Sequence, residues 1–583
     1  MTLVCTKRMA RPIERTSPVF SSETTLRVSR DLAVSRNTMV AAKHPLAVQA
    51  GLDMMSKGGN AIDAAVATGF AIGVVEPWMS GVGGVGFMTI QMADGRRTVI
   101  DYFGRAPGAA TADMYTLEEG DNQTTVGFGG VKDQANAFGP LSILVPGMVA
   151  GMCHALKKYG TMDLKDVLQP AIQFAEEGFP VDWLRGMLIA SQQSTIARDD
   201  ETARIFLENG SPPAPLFGTE PPRIKQPELA ETLRTIAAQG PDGFYKGDVA
   251  QKIANHVQKL GGILTAEDMA GFEPVEVDPL VVNYRDVELL LLPYQAGGVN
   301  TGEALQILNG LDLRSTGFNS AATLHKIAEA SRRGYADRNA YIGDPDTVDT
   351  DWARLNSEAY AAERRAEIDL QKATPVSPGS GISQQFGPGA DPGNKDEGCT
   401  THYSVVDGDG NIVSVTQTLT LIFGSTVTVP GTGVMMNDSM NLFDPVPGRA
   451  NSIAPGKRPA SSMAHAIAVR DGVPILGVGA PGGRRIMDTC MQMVLDVIEF
   501  GMDIQEACEA PLIDCSSGTL LADERVGPET IEQLRAMGHS VTPAEVTFAP
   551  RAFASPTGVQ VDPGTGLRYG GADPFGPGIA GGR

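Results

Sequence analysis

The 583-residue sequence predicts an α+β protein built on antiparallel sheets. Three observations carry that prediction. Runs with the 3.6-residue spacing of buried helix faces fill long stretches before and after the middle of the chain. Paired runs of alternating residues, joined by short Asp/Gly turns, mark hairpins at three places. Helices then return between the later hairpins, without the strict strand–helix alternation of a parallel sheet.

Taken in order, "MVAAKHPLAVQAGLDMMSKGGNAIDAAVATGFAIGVVEP" reads as a short strand and two helices, punctuated by Gly58 and Gly59 and stopped by Pro77. "GFMTIQMADGRRTVIDYF" is a hairpin turning at Asp94 and Gly95. Residues 147–370 are mostly helical, as in "LHKIAEASRRGYADRNAYI", interrupted by a strand pair at "VEVDPLVVNYRDVELLLLP". From 371 to 398 periodicity is lost and Pro, Gly, Gln and charges gather, the composition of a flexible surface segment. Two hairpins follow, "HYSVVDGDGNIVSVTQTL" and "MAHAIAVRDGVPILGVGAP", and then the helices "IMDTCMQMVLDVIEFG" and "PETIEQLRAMGH".

Composition narrows the function. A net charge of -21 opposes binding to phosphate backbones or anionic membranes, which demand clustered Lys and Arg. The six cysteines show no CxxC pair and no His at metal-ligand spacing, so neither a metal site nor a disulfide framework is signalled. Residues 1–37 are basic and Ser/Thr-rich and lack the apolar core of a signal peptide, which predicts a flexible leader and a cytoplasmic protein. The most apolar stretch carries Asp63 and ends at Glu76 and Pro77, so no membrane span is expected.

Two glycine-rich stretches invite a ligand. "GVGGVG", Gly81 to Gly86, matches GxGxxG in letters alone: a helix precedes it and a strand follows, the reverse of a dinucleotide loop. In "GVGAPGGRRIMDTC" a strand does feed Gly482 and Gly483 into a helix, which presents backbone N–H groups at its positive end. Without the Lys-Ser/Thr of a phosphate loop, that end suits an oxyanion or a carboxylate better than a nucleotide. A third stretch, "GCTTHYSVV", places Thr400 at the head of a strand directly after the flexible segment. A threonine hydroxyl needs a neighbouring base, and the α-amine of that same threonine serves once it is a chain terminus, with a reference pKa of about 7.7–8.0. Self-cleavage at Cys399–Thr400 would create that terminus. On these residues alone, a Thr-rich strand after a loop remains open as the plainer reading.

The elements "TTHYSVVDGDGNIVSVTQTL", "FGS", "PGTGVMMND", "KRPASSMAHAI" and "GAPGGRRIM", with the upstream "GGNAIDAAVA", "EPWMSGVGGVGFM" and "YADRNAYIGDPD", resemble the γ-glutamyltransferase family of N-terminal nucleophile (Ntn) hydrolases, in order from about residue 38 to 575. The resemblance implies a four-layer αββα sandwich. It also implies a proenzyme that cuts itself into a large chain, 38–399, and a small chain, 400–583, which stay together as a heterodimer and could assemble further. Thr400 would be the nucleophile and its α-amine the base. Thr418 would orient Thr400, Gly482 and Gly483 would form the oxyanion hole, and Ser461 and Ser462 would face the substrate. Acyl transfer through an ester on Thr400, to water or an amine, needs no metal or cofactor. His402 is assigned a structural role, because the α-amine already supplies the base.

The recognition elements depart from the family pattern. "DYFGRAP" puts Phe103 where the family has a carboxylate-binding arginine, with Arg105 nearby. "TLT" puts Thr420 in place of an asparagine, and "NDSMNLFDP" offers Ser439, Asn441 and Leu442, with Asp444 just past the usual acidic position. A forked guanidinium reads a carboxylate and a carboxylate reads an ammonium, so both grips on a γ-glutamyl head are weakened together. The expected substrate is a small-molecule amide other than a plain γ-glutamyl compound. Two alternatives stand beside it: a true γ-glutamyltransferase or glutathione hydrolase in which Arg105 and Asp444 substitute, and an uncleaved, inactive relative acting as a binding protein.

Overall fold

The computed structural model describes residues 28–118, 128–214, 218–382, 399–548 and 551–583. Two seven-stranded antiparallel sheets face each other among these residues. One runs, edge to edge, Ile579–Gly582, Met39–Ala42, Cys399–Val406, Ile412–Thr420, Val85–Gln91, Arg97–Asp101 and Val275–Val277. The other runs Ala33–Ser35, Arg568–Ala572, Thr557–Val561, Val473–Gly479, Ala466–Arg470, Val287–Leu291 and Leu280–Tyr284. Met39, Ala41, Val406 and Ile412 of the first sheet meet Leu290, Ile467, Val469 and Val559 of the second in one buried cluster. Helices Pro45–Ser56 and Ala61–Val75 cover the outer face of the first sheet. Gly298–Asn309, Ala321–Tyr341 and Ile486–Ile498 cover that of the second. This is the expected αββα sandwich.

Local chemistry explains the elements. Asn60 and Asp63 form a reciprocal capping box at the start of Ala61–Val75, a helix buried all round and built largely of small residues. Asp407 closes the hairpin after Cys399–Val406 by accepting from the backbone N–H groups of Asp409 and Asn411. The 21-residue helix Ala321–Tyr341 starts on Ser320, whose side chain accepts from Thr323 N.

Three expectations need correction. Residues 28–37 are not loose: Ala33–Ser35 pairs with Arg568–Gly570, and Arg30 donates to Gly576 O at 2.8 Å. The rest of the predicted leader lies outside the described residues. Of the segment 371–398, residues 383–398 also lie outside them, whereas 371–382 is held to the body by Ala373 N to Met537 O (2.7 Å) and Gly379 N to Asp337 Oδ1 (2.6 Å). The strand pair expected at 275–293 is three strands, split at Asp278–Pro279: Val275–Val277 joins one sheet and Leu280–Leu291 supplies two strands of the other. No helix among the described residues is long and apolar enough to cross a membrane.

Candidate active site

Thr400 heads a central strand of the first sheet, between Met39–Ala42 and Ile412–Thr420. The register slips there: Cys399 pairs with Thr420 but Thr401 pairs with Gln417, so Thr418 and Leu419 together oppose Thr400. Such a bulge re-aims side chains, and here it brings Thr418 against Thr400. Thr400 Oγ1 donates to Thr418 Oγ1 at 3.3 Å, and the Thr418 hydroxyl donates to the carbonyl of Cys399. Thr418 Oγ1 also accepts from Thr420 N at 2.8 Å. Thr418 therefore links the hydroxyl of Thr400 to the peptide bond in front of it. Thr420 is held at φ 93, a strained conformation for a β-branched residue, and its hydroxyl contacts Ser439 Oγ at 2.5 Å.

A cavity opens beside Thr400, lined by Thr418, Thr420, Ser461, Ser462 and Gly483, with apolar walls from Phe103, Leu442, Met463 and Met487. The glycine turn after strand Val473–Gly479 reaches it: Gly482 (φ 146) and Gly483 (φ 59) adopt backbone conformations that favour glycine, and lead through a short turn into helix Ile486–Ile498. A Cβ on Gly482 would also come within 2.5 Å of Ala554. Ser461 is placed by its backbone, with its N–H donating to Gln295 O at 2.8 Å and its carbonyl accepting from Arg338 Nη2 at 2.8 Å. Behind that loop Arg458 bonds Asp101 (2.9 Å) and Asp344 (2.7 Å) in a buried network.

The threonine next in line points the other way. Thr401 donates to Glu76 Oε2 at 2.8 Å, and burial lifts the Glu76 carboxyl to about 7 against that hydrogen bond and the Lys43 charge. His402 faces the second sheet, where Gly479 makes room for its ring; its nitrogens contact Thr416 Oγ1 (3.0 Å) and Ser404 Oγ (3.1 Å). Burial, with His465 nearby, holds the ring well below the ordinary histidine range, hence neutral. It does not line the cavity, in keeping with a structural role.

Several expected substrate-binding residues are elsewhere. Arg105 does not line the cavity, because its guanidinium turns to Gly456 O (3.1 Å) and Asp346 (3.5 Å). Ser439 sits behind Thr420, and Asn441 is buried with its amide on Asp438 Oδ2 at 3.0 Å, so neither reaches the cavity. Asp444 does line it, but its charge is taken by Arg449 at 2.7 Å.

Comparison with known proteins fits this geometry. The family model for gamma-glutamyltranspeptidase matches residues 47–582. The chain belongs to the gamma-glutamyltranspeptidase family. It is 40% identical over 489 residues to a glutathione hydrolase proenzyme of Pseudomonas sp. (strain A14), covering 82% of this chain and 81% of that one. It is 39% identical over 507 residues to the acylase ACY 1 proenzyme of Pseudomonas sp. (strain SE83), covering 86% and 87%. The solved cephalosporin acylase from Bacillus halodurans superposes with a TM-score of 0.84 at 29% identity, over 97% of this chain and 99% of that one. The protein is an amide hydrolase/acyltransferase of this Ntn family.

Of the residues singled out from the sequence, Thr400, Thr418, Thr420, Ser461, Ser462 and Gly483 line the cavity, which also takes in two arginines that were not singled out, Arg338 and Arg484. Both lay in quoted stretches, Arg338 in "YADRNAYIGDPD" and Arg484 in "GAPGGRRIM", and nothing in their spacing marked either as a cavity residue. Among the described residues His325, Glu329 and His539 bring ligand-type atoms within 4.8 Å of one another. Their capacity is already used: the imidazoles bond each other at 2.7 Å, and Glu329 is held by Arg332, Arg333 and Thr374. None of the three lines the cavity at Thr400.

Proposed function

We propose that the chain is a self-cleaving acylase: an Ntn amidohydrolase that removes an acyl group other than γ-glutamyl from an amine. The observation that carries the reading is the meeting, in one cavity, of the Thr400–Thr418–Gly483 arrangement with walls made by Phe103, Leu442 and Thr420. In maturation, Thr400 Oγ attacks the Cys399 carbonyl, which the Thr418 hydroxyl polarises. The acyl group shifts from nitrogen to oxygen, and water hydrolyses the ester, leaving a Cys399 carboxylate and a free Thr400 amine. The large and small chains then remain associated as a heterodimer.

In turnover that amine takes the proton from Oγ as Oγ attacks the substrate carbonyl, and backbone N–H groups at Gly482 and Gly483 receive the developing oxyanion. The proton passes to the leaving amine, and the acyl ester on Thr400 is cleared by water or by a second amine. Phe103 stacks on Phe87, centroids 5.3 Å apart, and closes the position from which a guanidinium would grip an α-carboxylate. The γ-glutamyl alternative, with Arg105 and Asp444 in substitute roles, is disfavoured because Arg105 is off the cavity and Asp444 is already paired. A panel of matched p-nitroanilides on the matured protein tests the proposal. A higher kcat/KM for the γ-glutamyl anilide than for every other acyl anilide would overturn it.

A further inference from the structure

A turn built on two glycines does not hold its own shape. Gly482 (φ 146) and Gly483 (φ 59) occupy backbone regions that glycine enters at little cost and leaves as readily. Oxyanion donors act only when they are aimed in advance, so the shape of this turn has to be imposed by its surroundings. Upstream, Ser555 N donates to Pro481 O at 2.9 Å. Downstream, neither the short turn Gly483–Arg485 nor helix Ile486–Ile498 has a side-chain cap. Tyr335 Oη donates to Arg484 O at 3.0 Å, and the next support is the buried carboxyl of Asp488.

Asp488 lies in the first turn of Ile486–Ile498, where an acidic side chain ordinarily bonds back to the free N–H groups of its own helix. Here it reaches outward instead. The Ser331 hydroxyl donates to one carboxyl oxygen, and Cys515 N donates to the other at 2.6 Å. Ser331 and Tyr335 stand one turn apart on helix Ala321–Tyr341, so one face of that helix grips both Asp488 and the Arg484 carbonyl. Gln492, one turn beyond Asp488, makes a separate attachment: its amide donates to Asp488 O and Ile513 O and accepts from Ile513 N at 2.9 Å. Burial, with Asp514 nearby, pushes the Asp488 carboxyl up to about 8 against its two hydrogen bonds. It therefore keeps its proton at neutral pH, with one oxygen accepting from Cys515 N and the other sharing a proton with Ser331 Oγ. A carboxamide makes the same two contacts.

We propose that Asp488 is a positioning residue: through Ser331 and Cys515 it fixes the first turn of its helix and so aims the Gly482–Gly483 donors at the substrate carbonyl. It does not line the cavity, whereas Gly483, Arg484, Ile486 and Met487 do. The inference rests on the acyl-transfer reading and deepens it. In that reading self-cleavage draws on Thr400, Thr418 and the Cys399 carbonyl, and turnover also draws on the glycine turn. Displacing the turn should therefore slow turnover and spare maturation.

The test compares Asp488→Ala, Asp488→Asn and Gln492→Ala with wild type, using the acyl p-nitroanilide that wild type turns over fastest and counting active sites by the small-chain band. Asp488→Ala should mature to two bands, keep KM within about threefold and lose about 10²-fold in kcat, the scale on which a misaimed group or a lost oxyanion donor acts. Asp488→Asn should stay within about threefold of wild type. Gln492→Ala should lower the Tm and leave kcat within about threefold. A wild-type kcat in Asp488→Ala overturns the proposal, and so does a KM that rises as far as kcat falls. An Asp488→Asn protein as slow as Asp488→Ala overturns it too, as does an equal loss of kcat in Gln492→Ala. Should Asp488→Ala fail to fold, Ser331→Ala, which removes one of the two ties, carries the comparison. Its kcat should fall about tenfold at constant KM and recover in Ser331→Thr, and an unchanged kcat overturns the proposal. No turnover of any anilide by matured wild type sinks the acyl-transfer reading and this inference with it. Turnover by wild type with an unaffected Asp488→Ala sinks only the role of Asp488.

Discussion

The two ends of the cavity obey different rules. At the Thr400 end, Thr400, Thr418, Cys399 and Gly483 are fixed by backbone devices: a register bulge, a hydroxyl bridging two main-chain groups, and a glycine turn leading into a helix. Their positions follow from sheet pairing and tolerate little variation. At the other end, Phe103, Thr420, Leu442 and Arg338 present side chains to the cavity. On the proposed reading, chemistry is built into the main chain and choice of substrate into side chains, a division under which one family can hold both the glutathione hydrolase and the acylase that this chain resembles.

The most severe way to break the contrast is Thr400→Ala. It should leave a single chain on a denaturing gel and reduce turnover by about 10⁴-fold or more, as loss of a nucleophile does. Next, Thr418→Ala should slow both self-cleavage and turnover by about 10²- to 10³-fold with little change in KM, while Thr418→Ser, which keeps the hydroxyl, retains most of both. Equal saturated rates for Thr418→Ala and wild type would remove Thr418 from the mechanism.

The recognition end should respond more gently and in the direction of selectivity. Thr420→Asn with Leu442→Asp restores an amide and a carboxylate to the cavity and should raise kcat/KM for γ-glutamyl-p-nitroanilide by about tenfold. Thr420→Asn alone should also preserve or raise the Tm, since asparagine tolerates the positive φ that strains threonine there. A clear loss of Tm would show that the bond to Ser439 outweighs the backbone strain.

The smallest effect concerns Glu76, beneath Thr401. Its carboxyl is held near 7 in the fold, against an ordinary value of 4.5. The native state therefore binds that proton more tightly than the unfolded chain, and stability falls as pH rises from about 4.5 to 7, then levels off. Glu76→Gln removes the titration, so its Tm should gain on wild type by a few degrees between pH 5 and pH 7 and by nothing further at pH 8. A constant difference across that range would mean that Glu76 does not titrate there.

Much of the fold was legible because local signals agreed with the final structure. The helices at 45–56 and 61–75, the hairpin at 85–101 and the strands on either side of Asp407 all show their periodicity or turn chemistry within a few residues. What was not legible depends on partners far away in sequence. "AVS" at 33–35 is a strand only because Arg568–Gly570 lies beside it, and the chain's switch between sheets at Asp278–Pro279 leaves no periodic mark. The site divides the same way. Thr400 and the Gly482–Gly483 turn announce themselves by sequence neighbours, whereas Arg105 was drawn away by Asp346, and Arg338 reads as one more charge on an amphipathic helix until its surroundings are seen.

The placement of the Cys399–Thr400 bond within the body of a sheet has a kinetic consequence. Residues 38–399 supply strands on both sides of Cys399–Val406, and each sheet mixes strands from before and after the bond. If that bond is cut as proposed, two polypeptides remain interleaved, and neither can leave without dismantling both sheets. Denaturation then releases separate molecules, and reassembly becomes a second-order encounter between incomplete sheets with exposed edges. A protein that folded as one chain could not retrace its path after maturation. Its durability would be measured by an unfolding half-life, and a denatured sample of the mature enzyme would recover less activity the further it was diluted.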